Sequence, residues 1–429
     1  NLGRNEMMEM KRYKLSEIAS FIGSGMTPLR CNENYWNSKD YPWLKTEQLG
    51  EYQIFDTNEY ISKVALEETN LKLFPKNTLT VAMYGEGKTR GNVSILAEQM
   101  TTNQACCNII VDNKFANYKF VYYWLKNSYY KLRSLSSGIR NNLNSEDIKK
   151  FEINLPSLPT QQKIAAILSS LDDKIALNKK INAKLEAMAK RLYDYWFVQF
   201  DFPNEEGKPY KTSGGKMVWN EVLKREIPEG WEVKSINDIS VSYRGVGYTA
   251  KDEKTEKDKN IILILRGNNI SNNHIIYNGN TVYVDKSFVL KEQEIKKFDI
   301  IITMSSGSKE HVGKSAMFLF DSAHSYGAFC NKITPNKECQ YFLENYLHSE
   351  SFIKYIRHSC SGTGINNLTN EHFDNAKFSF PTESNLQLFN KKMKSIYDER
   401  AVVEKEIQKL TNLRDRLLPL LMNGQVEVE

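Results

Sequence analysis

The feature that most constrains this chain is that it repeats itself. A seven-residue rhythm runs through Ile164, Leu171, Asn178, Leu185 and Leu192, and returns at Phe389, Ile396, Val403, Leu410 and Leu417, 225 residues later at all five positions. A second line adds Leu168 and Ile175 in the first segment and Met393 and Ile407 in the second. A sustained 3.5-residue spacing keeps one apolar seam facing a partner, so the pattern predicts two long helices packed as a coiled coil. Asn178 is the polar member of the seam. It either fixes register or is a polar residue tolerated at a helix waist. A helix over 160–198 would be roughly 60 Å long at 1.5 Å per residue, which suits a spacer better than a globular element.

The duplication extends beyond the helices. Asn141-Asn142-Leu143 precedes a strand-like run ending at Pro156, and Asn366-Asn367-Leu368 precedes a similar run ending at Pro381. Trp43-Leu44-Lys45 matches Ile264-Leu265-Arg266, and the apolar strand ending at Met83 matches Ile300–Met304, both 221 residues apart. Ala105 and Cys107 match Ala328 and Cys330 at 223. Drifting offsets are what small loop insertions produce between copies.

The expected fold class is α+β. Two mixed α/β domains, 13–158 and 231–384, are separated by two long helices, 159–200 and 385–424. The helices form an antiparallel coiled coil, and the whole is a pseudo-two-fold duplication. Residues 201–230 hold Pro203, Gly207, Pro209, Gly214, Gly215, Pro228 and Gly230 and read as a linker.

Motifs of catalysis are weak. Gly85-Glu86-Gly87-Lys88-Thr89 imitates a phosphate-binding loop, but the glycine that pattern needs five residues before Gly87 is Ala82. Glu86 and Lys88 imitate a nuclease carboxylate-x-Lys tail, yet the second copy has Ser306-Gly307-Ser308 there. The chain has no Pro-Pro dipeptide, so the Asn/Asp-Pro-Pro-aromatic loop of adenine methyltransferases is missing. His311 and His324 lack the spacing of a triad. No catalytic residue is assigned. None of the six cysteines forms a C-x-x-C pair, which leaves zinc unsupported, and vicinal Cys106 and Cys107 read as small apolar core residues. No apolar run approaches a membrane span and no leader pattern opens the chain, so the expected compartment is the cytoplasm.

A set of polar, aromatic and basic loop positions remains. The first copy offers Lys45, Thr46, Tyr84, Lys88, Thr89, Arg90, Asn92, Arg140, Asn141 and Asn142. The second offers Arg266, Asn268, Asn269, Ser308, Lys309, His311, Lys314, Asn366 and Asn367. Arg, Lys and Asn present donors that suit base edges, and cations neutralise phosphates. Asn and Gly also simply make turns. A net charge of +6 allows a polyanionic partner without demanding one.

These residues resemble a known family. Leu155-Pro156-Ser157-Leu158-Pro159-Thr160-Gln161-Gln162-Lys163-Ile164 resembles the junction of a target-recognition domain with a conserved helix in type I restriction–modification specificity subunits. Ile227-Pro228-Glu229-Gly230-Trp231-Glu232-Val233 is similar to the start of that family's second recognition domain. The tail from Leu413 to Gly424 is similar to its ending. The second junction, from Phe380 to Gln387, keeps Pro381 and Gln387 but loses the double-proline rhythm. The resemblance implies a non-catalytic subunit that reads a bipartite, gapped site on double-stranded DNA. It implies two modification subunits, which bring S-adenosylmethionine and methylate adenine N6. It also implies restriction subunits that use ATP and Mg. No cofactor or metal is expected on this chain. A stand-alone coiled-coil DNA-binding protein and an enzyme with an unrecognised site remain the other readings.

Overall fold

A computed structural model describes residues 9–85, 89–135, 142–255, 258–277, 281–308, 310–359 and 366–426. The chain divides into two compact units. One comprises residues 1–178 with 406–429, the other 179–405. Each unit therefore takes one globular copy plus a part of both long helices.

In the first unit, β-branched runs build a five-stranded sheet. Its order is Ala19–Ser24, Cys106–Val111, Leu79–Ala82, Val93–Leu96 and Gln53–Ile54. The strands Leu79–Ala82 and Val93–Leu96 are buried along their whole length, as continuous apolar runs require. Beside this sheet, Tyr41–Leu44 pairs antiparallel with Glu59–Ile61 and parallel with Thr101–Thr102. The helix Tyr118–Asn127 is started by Asn117, whose side chain accepts from the amides of Lys119 and Phe120. It buries Phe120, Val121, Tyr122, Tyr123 and Leu125.

The second unit repeats the plan. Ser240–Arg244, Cys330–Pro335, Ile300–Thr303 and Ser315–Met317 form a four-stranded sheet in that order. Ile261–Leu265 pairs antiparallel with Val282–Asp285 and parallel with Ser325–Tyr326. Among the described residues this sheet has no strand in the place of the parallel edge strand Gln53–Ile54. The helix Gln340–Leu347 takes the place of Tyr118–Asn127.

The long helices span Leu158–Tyr193 and Glu383–Met422, the first closing in a wider π-turn over Asp194–Val198. They are core elements of both units. Ile164, Ala165, Leu168, Leu418, Leu421 and Met422 belong to the same buried cluster as Phe120 and Ile153. Ala189, Trp196, Phe389 and Met393 belong to the cluster of Phe342 and Phe378. The helices run antiparallel, since Asp172 meets Arg414 while Asn178, further along, meets Glu406.

The stretch 201–230, expected as a linker, is folded. Met217–Asn220 and Arg225–Pro228 form a hairpin. Phe202 stacks on Tyr210 and on Trp231 at 4.6 and 5.1 Å. Glycine does set the turns, with φ of +75° at Gly207 and +87° at Gly214, but the aromatic residues in and around them supply enough burial to hold the segment against the unit.

Candidate nucleic-acid interface

In each copy a buried strand runs out into the loop that carries the basic candidates, and two distant segments clamp it there. The Met83 amide donates to the Ala105 carbonyl at 2.8 Å, and the Met83 carbonyl accepts from Leu143 at 3.1 Å. In the second copy Met304 donates to Phe329 at 2.9 Å and accepts from Leu368 at 2.7 Å. Here Ser305–Ser306 also pairs antiparallel with Asn366–Asn367. Sequence positions about sixty residues apart, including Tyr84 with Asn142 and Ser308 with Asn367, are thus brought to one place in each unit.

Tyr84 is exposed, while Thr89, Arg90 and Asn142 are half-buried. The loop returns through Gly91, at φ +87°, whose amide donates to the Ala82 carbonyl. Arg133 donates to the Arg90 carbonyl at 3.2 Å and to the Tyr129 hydroxyl at 2.7 Å, bracing the loop from a neighbouring helix. Asn92 spends a side-chain donor on the Leu49 carbonyl at 3.3 Å. Lys45 lies between Glu59 at 2.6 Å and Glu47 at 3.0 Å. Its hydrogen bonds to Glu59 and then Glu47 raise its pKa above the usual lysine value. Thr46 opens the adjoining helical turn, half-buried.

In the second copy Ser308, His311 and Asn367 are exposed and Lys314 is half-buried. The Lys314 ammonium donates to His311 Nδ1 at 2.8 Å. Asn268 is exposed and Arg266 half-buried. Asn269 corrects the sequence reading. It is fully buried, its Oδ1 accepts from the Arg266 amide at 3.0 Å, and its Nδ2 donates to the Ile276 carbonyl at 2.9 Å. That amide is consumed in shaping a turn and is withdrawn from solvent. Lys88, Arg140, Asn141 and Lys309 lie outside the described residues, as does the side chain of Asn366. Sequence reasoning missed Phe329, which is 69% exposed beside the Met304 loop. It also missed Arg133, for which the Tyr129/Arg133 i,i+4 spacing was a usable signal.

The helices offer a second surface. Of the expected seam, Ile164, Asn178, Phe389 and Val403 are buried, while Leu171, Leu185, Leu192, Ile396, Leu410 and Leu417 are half-buried. The deepest line lies beside it. Gln161, Leu168, Ile175, Asn182, Ala189 and Trp196 are all at most 5% exposed. Its counterpart in the second helix includes Arg400 and Arg414. Arg414 meets buried Asp172 at 2.6 Å, and Asp172 also accepts from the Tyr123 hydroxyl at 2.7 Å. Arg400 meets Glu186 at 2.9 Å and Glu344 at 3.4 Å. Glu186 also holds His274 at 3.0 Å, and that hydrogen bond raises the imidazole pKa. Asn178 donates to Glu406 at 2.9 Å.

Most residues shared by the two helices lie elsewhere, the exceptions being the seam pairs Leu185/Leu410 and Leu192/Leu417. Aligned at 225, stretches 158–198 and 383–423 have nine identities, and none falls where both copies are buried. Gln162, Asp173, Lys180, Lys184 and Arg191 recur as Gln387, Asp398, Lys405, Lys409 and Arg416. At 100° per residue these five fall within about 40° of arc, away from the deepest line. The exposed pairs Leu177/Val402 and Met188/Leu413 adjoin them.

Among the described residues no cluster of three or more His, Cys, Asp or Glu could hold a metal ion, and no helix is long and apolar enough to cross a membrane. Cys106 and Cys107 are fully buried, and burial raises both thiol pKa values.

A sequence model described as the type I restriction modification DNA specificity domain matches residues 7–187 and 228–412. The MjaIX specificity subunit of Methanocaldococcus jannaschii is 29% identical over 426 residues, covering 97% of this chain and 93% of that protein. The HindI specificity subunit of Haemophilus influenzae is 26% identical over 354 residues, covering 70% and 74%. The crystal structure of a type I restriction–modification S subunit from M. genitalium shares the fold, with a TM-score of 0.55 at 16% identity, covering 100% of this chain and 98% of that one.

Proposed function

The chain belongs to the type I restriction modification DNA specificity family, and from that premise we propose that each copy of its globular fold reads one half of a bipartite, gapped DNA site. It is the DNA-recognising, non-catalytic subunit of a type I restriction–modification complex. The observation that carries the two-reader reading is the loop cluster built twice on one scaffold with different side chains. Tyr84, Thr89, Arg90 and Asn142 stand in one copy, and Ser308, His311, Lys314 and Asn367 in the other. Different donors and acceptors select different base edges, so the half-sites differ in sequence. In this reading Lys88, Arg140, Asn141, Lys309 and Asn366 extend the same surfaces, and the helices set the gap.

The shared outward residues support a second element. A face repeated on both helices suits two copies of one partner, the adenine-N6 methyltransferase subunits. These bring S-adenosylmethionine, and restriction subunits bring ATP-driven translocation and cleavage. The assembly works on DNA in the cytoplasm. The test is reconstitution. The chain alone transfers no methyl group from S-adenosylmethionine to DNA. Adding the modification subunit yields methyladenine at one gapped motif. Robust methylation by the chain alone would overturn this reading.

A further inference from the structure

The two loop clusters hide an exchange. Met83 and Met304 are equivalent rungs, each clamped on one side by a carbonyl and on the other by an amide. The residue following each methionine is Tyr84 in one copy and Ser305 in the other. The residue across the rung is Ala105 in one copy and Phe329 in the other. In the first copy Tyr84 is 40% exposed and Ala105 is buried. In the second, Ser305 is half-buried and Phe329 is 69% exposed, more than any other phenylalanine among the described residues. Each rung thus carries one exposed ring and one small residue, with the ring moved to the opposite segment. Phe329 belongs to none of the buried clusters that organise its unit. Burial therefore does not account for a phenylalanine here, and leaving most of a ring in water is unfavourable in the free protein. Single exposed apolar residues are common. Here one recurs at the same rung of both recognition surfaces, beside the basic loops.

We propose that this ring packs on the face of a base, Tyr84 in the half-site read by the first copy and Phe329 in that read by the second. The proposal rests on the DNA-reading function above and adds a contact that hydrogen-bond donors cannot make. An aromatic face stacks on any base and carries little sequence information. Its role is to hold open a base step while the neighbouring polar side chains read edges, as apolar wedges do at kinked steps. Moving the ring across the rung shifts where along the half-site the opened step falls.

The test uses the chain assembled with its modification subunit and the duplex carrying its mapped motif. Phe329→Ala should weaken binding about ten-fold, whereas Phe329→Trp, which keeps an aromatic face, should stay within about two-fold of the parent. With 2-aminopurine placed successively through the second half-site, one position should show a fluorescence change on binding that Phe329→Ala abolishes and Tyr84→Ala leaves intact. Tyr84→Ala should do the converse in the first half-site. Unchanged melting temperatures establish that the variants fold, as the exposure of both rings requires. Wild-type-like binding by Phe329→Ala, or a Trp variant as weak as the Ala variant, overturns the stacking role. Specific binding by the parent complex tests the DNA-reading function separately.

Discussion

The two copies meet their long helices at the same point with different chemistry. In the first, Tyr123 donates to Asp172 at 2.7 Å, and Arg414 completes the pair at 2.6 Å. In the second, the equivalent positions are Asn345 and Tyr397, where the amide donates to the hydroxyl at 2.9 Å. There the charge sits elsewhere, on Arg400 between Glu344 and Glu186, with Tyr397 donating to Glu344. Duplication preserved the geometry and let the buried residues diverge, while five outward positions, Gln162, Asp173, Lys180, Lys184 and Arg191, kept their identity. Buried lines usually change least, because packing punishes volume changes. The proposed docking of partner subunits on the outward face would account for the reversal. Divergent inner charges also specify register. A one-heptad slide would set Asp172 against Ile407 or Leu421 in place of Arg414, and a buried charge without its partner is costly.

The sharpest way to break this contrast is to remove each inner arginine. Arg400→Met leaves two carboxylates facing each other in the second unit and should cost about 3–5 kcal/mol. Arg414→Met should cost less, about 2–3 kcal/mol, because its side chain is 14% exposed and faces one buried carboxylate. Chemical denaturation reads both. Equal losses, or losses under about 1 kcal/mol, would dissolve the claimed asymmetry.

The helix faces come next. Leu171→Glu or Ile396→Glu places a charge at the half-buried seam and should cost about 1–3 kcal/mol and weaken partner assembly. Leu177→Glu or Val402→Glu, on the outward face, should change stability by less than about 0.5 kcal/mol yet weaken assembly with the modification subunit. Outward variants that assemble normally would remove the docking role from that face.

The smallest effect is a pH dependence confined to the second copy. Glu186 raises the pKa of His274 in the folded state, with Glu404 assisting and Arg400 opposing. Its contribution is therefore full below the unfolded histidine value of about 6.5 and is lost as pH rises through the folded value. His348 is buried and shifted down, so its contribution runs the other way and is lost as pH falls. In His274→Gln the loss on raising pH should vanish while the loss on lowering pH persists. An unchanged stability–pH profile would show that the Glu186 contact contributes nothing.

How much of this was legible beforehand depended on whether a residue's role leaves a periodic trace. The duplication, the antiparallel helices and the mixed α/β copies all do, through apolar spacing and paired motifs. The deepest helix line does not, because Gln161, Asn182, Arg400 and Arg414 are polar residues made burial-compatible by partners far away in sequence. Gln161, for instance, holds the Asn117 amide at 2.9 Å. The loops were legible as polar and basic, but which side chains face out was not. Asn268 and Asn269 are neighbours of one type, and only the structure separates the exposed one from the one locked to Ile276. Phe329 escaped because the 223-residue offset matched Ala105 to Ala328, whereas the strand register, with Ala82 against Cys106 and Thr303 against Cys330, corrects the match and sets Phe329 in the place of Ala105.

The claim on which the comparison turns is that the copies read DNA independently, and one exchange tests it. Residues 13–155 are replaced by the recognition domain of a related chain, both helices are left intact, and methylated adenines are mapped across a genome expressing the hybrid with the modification subunit. The account predicts that one half of the motif changes while the other half and the gap stay as they were. A hybrid that changes both halves, or a motif that proves continuous, would contradict it.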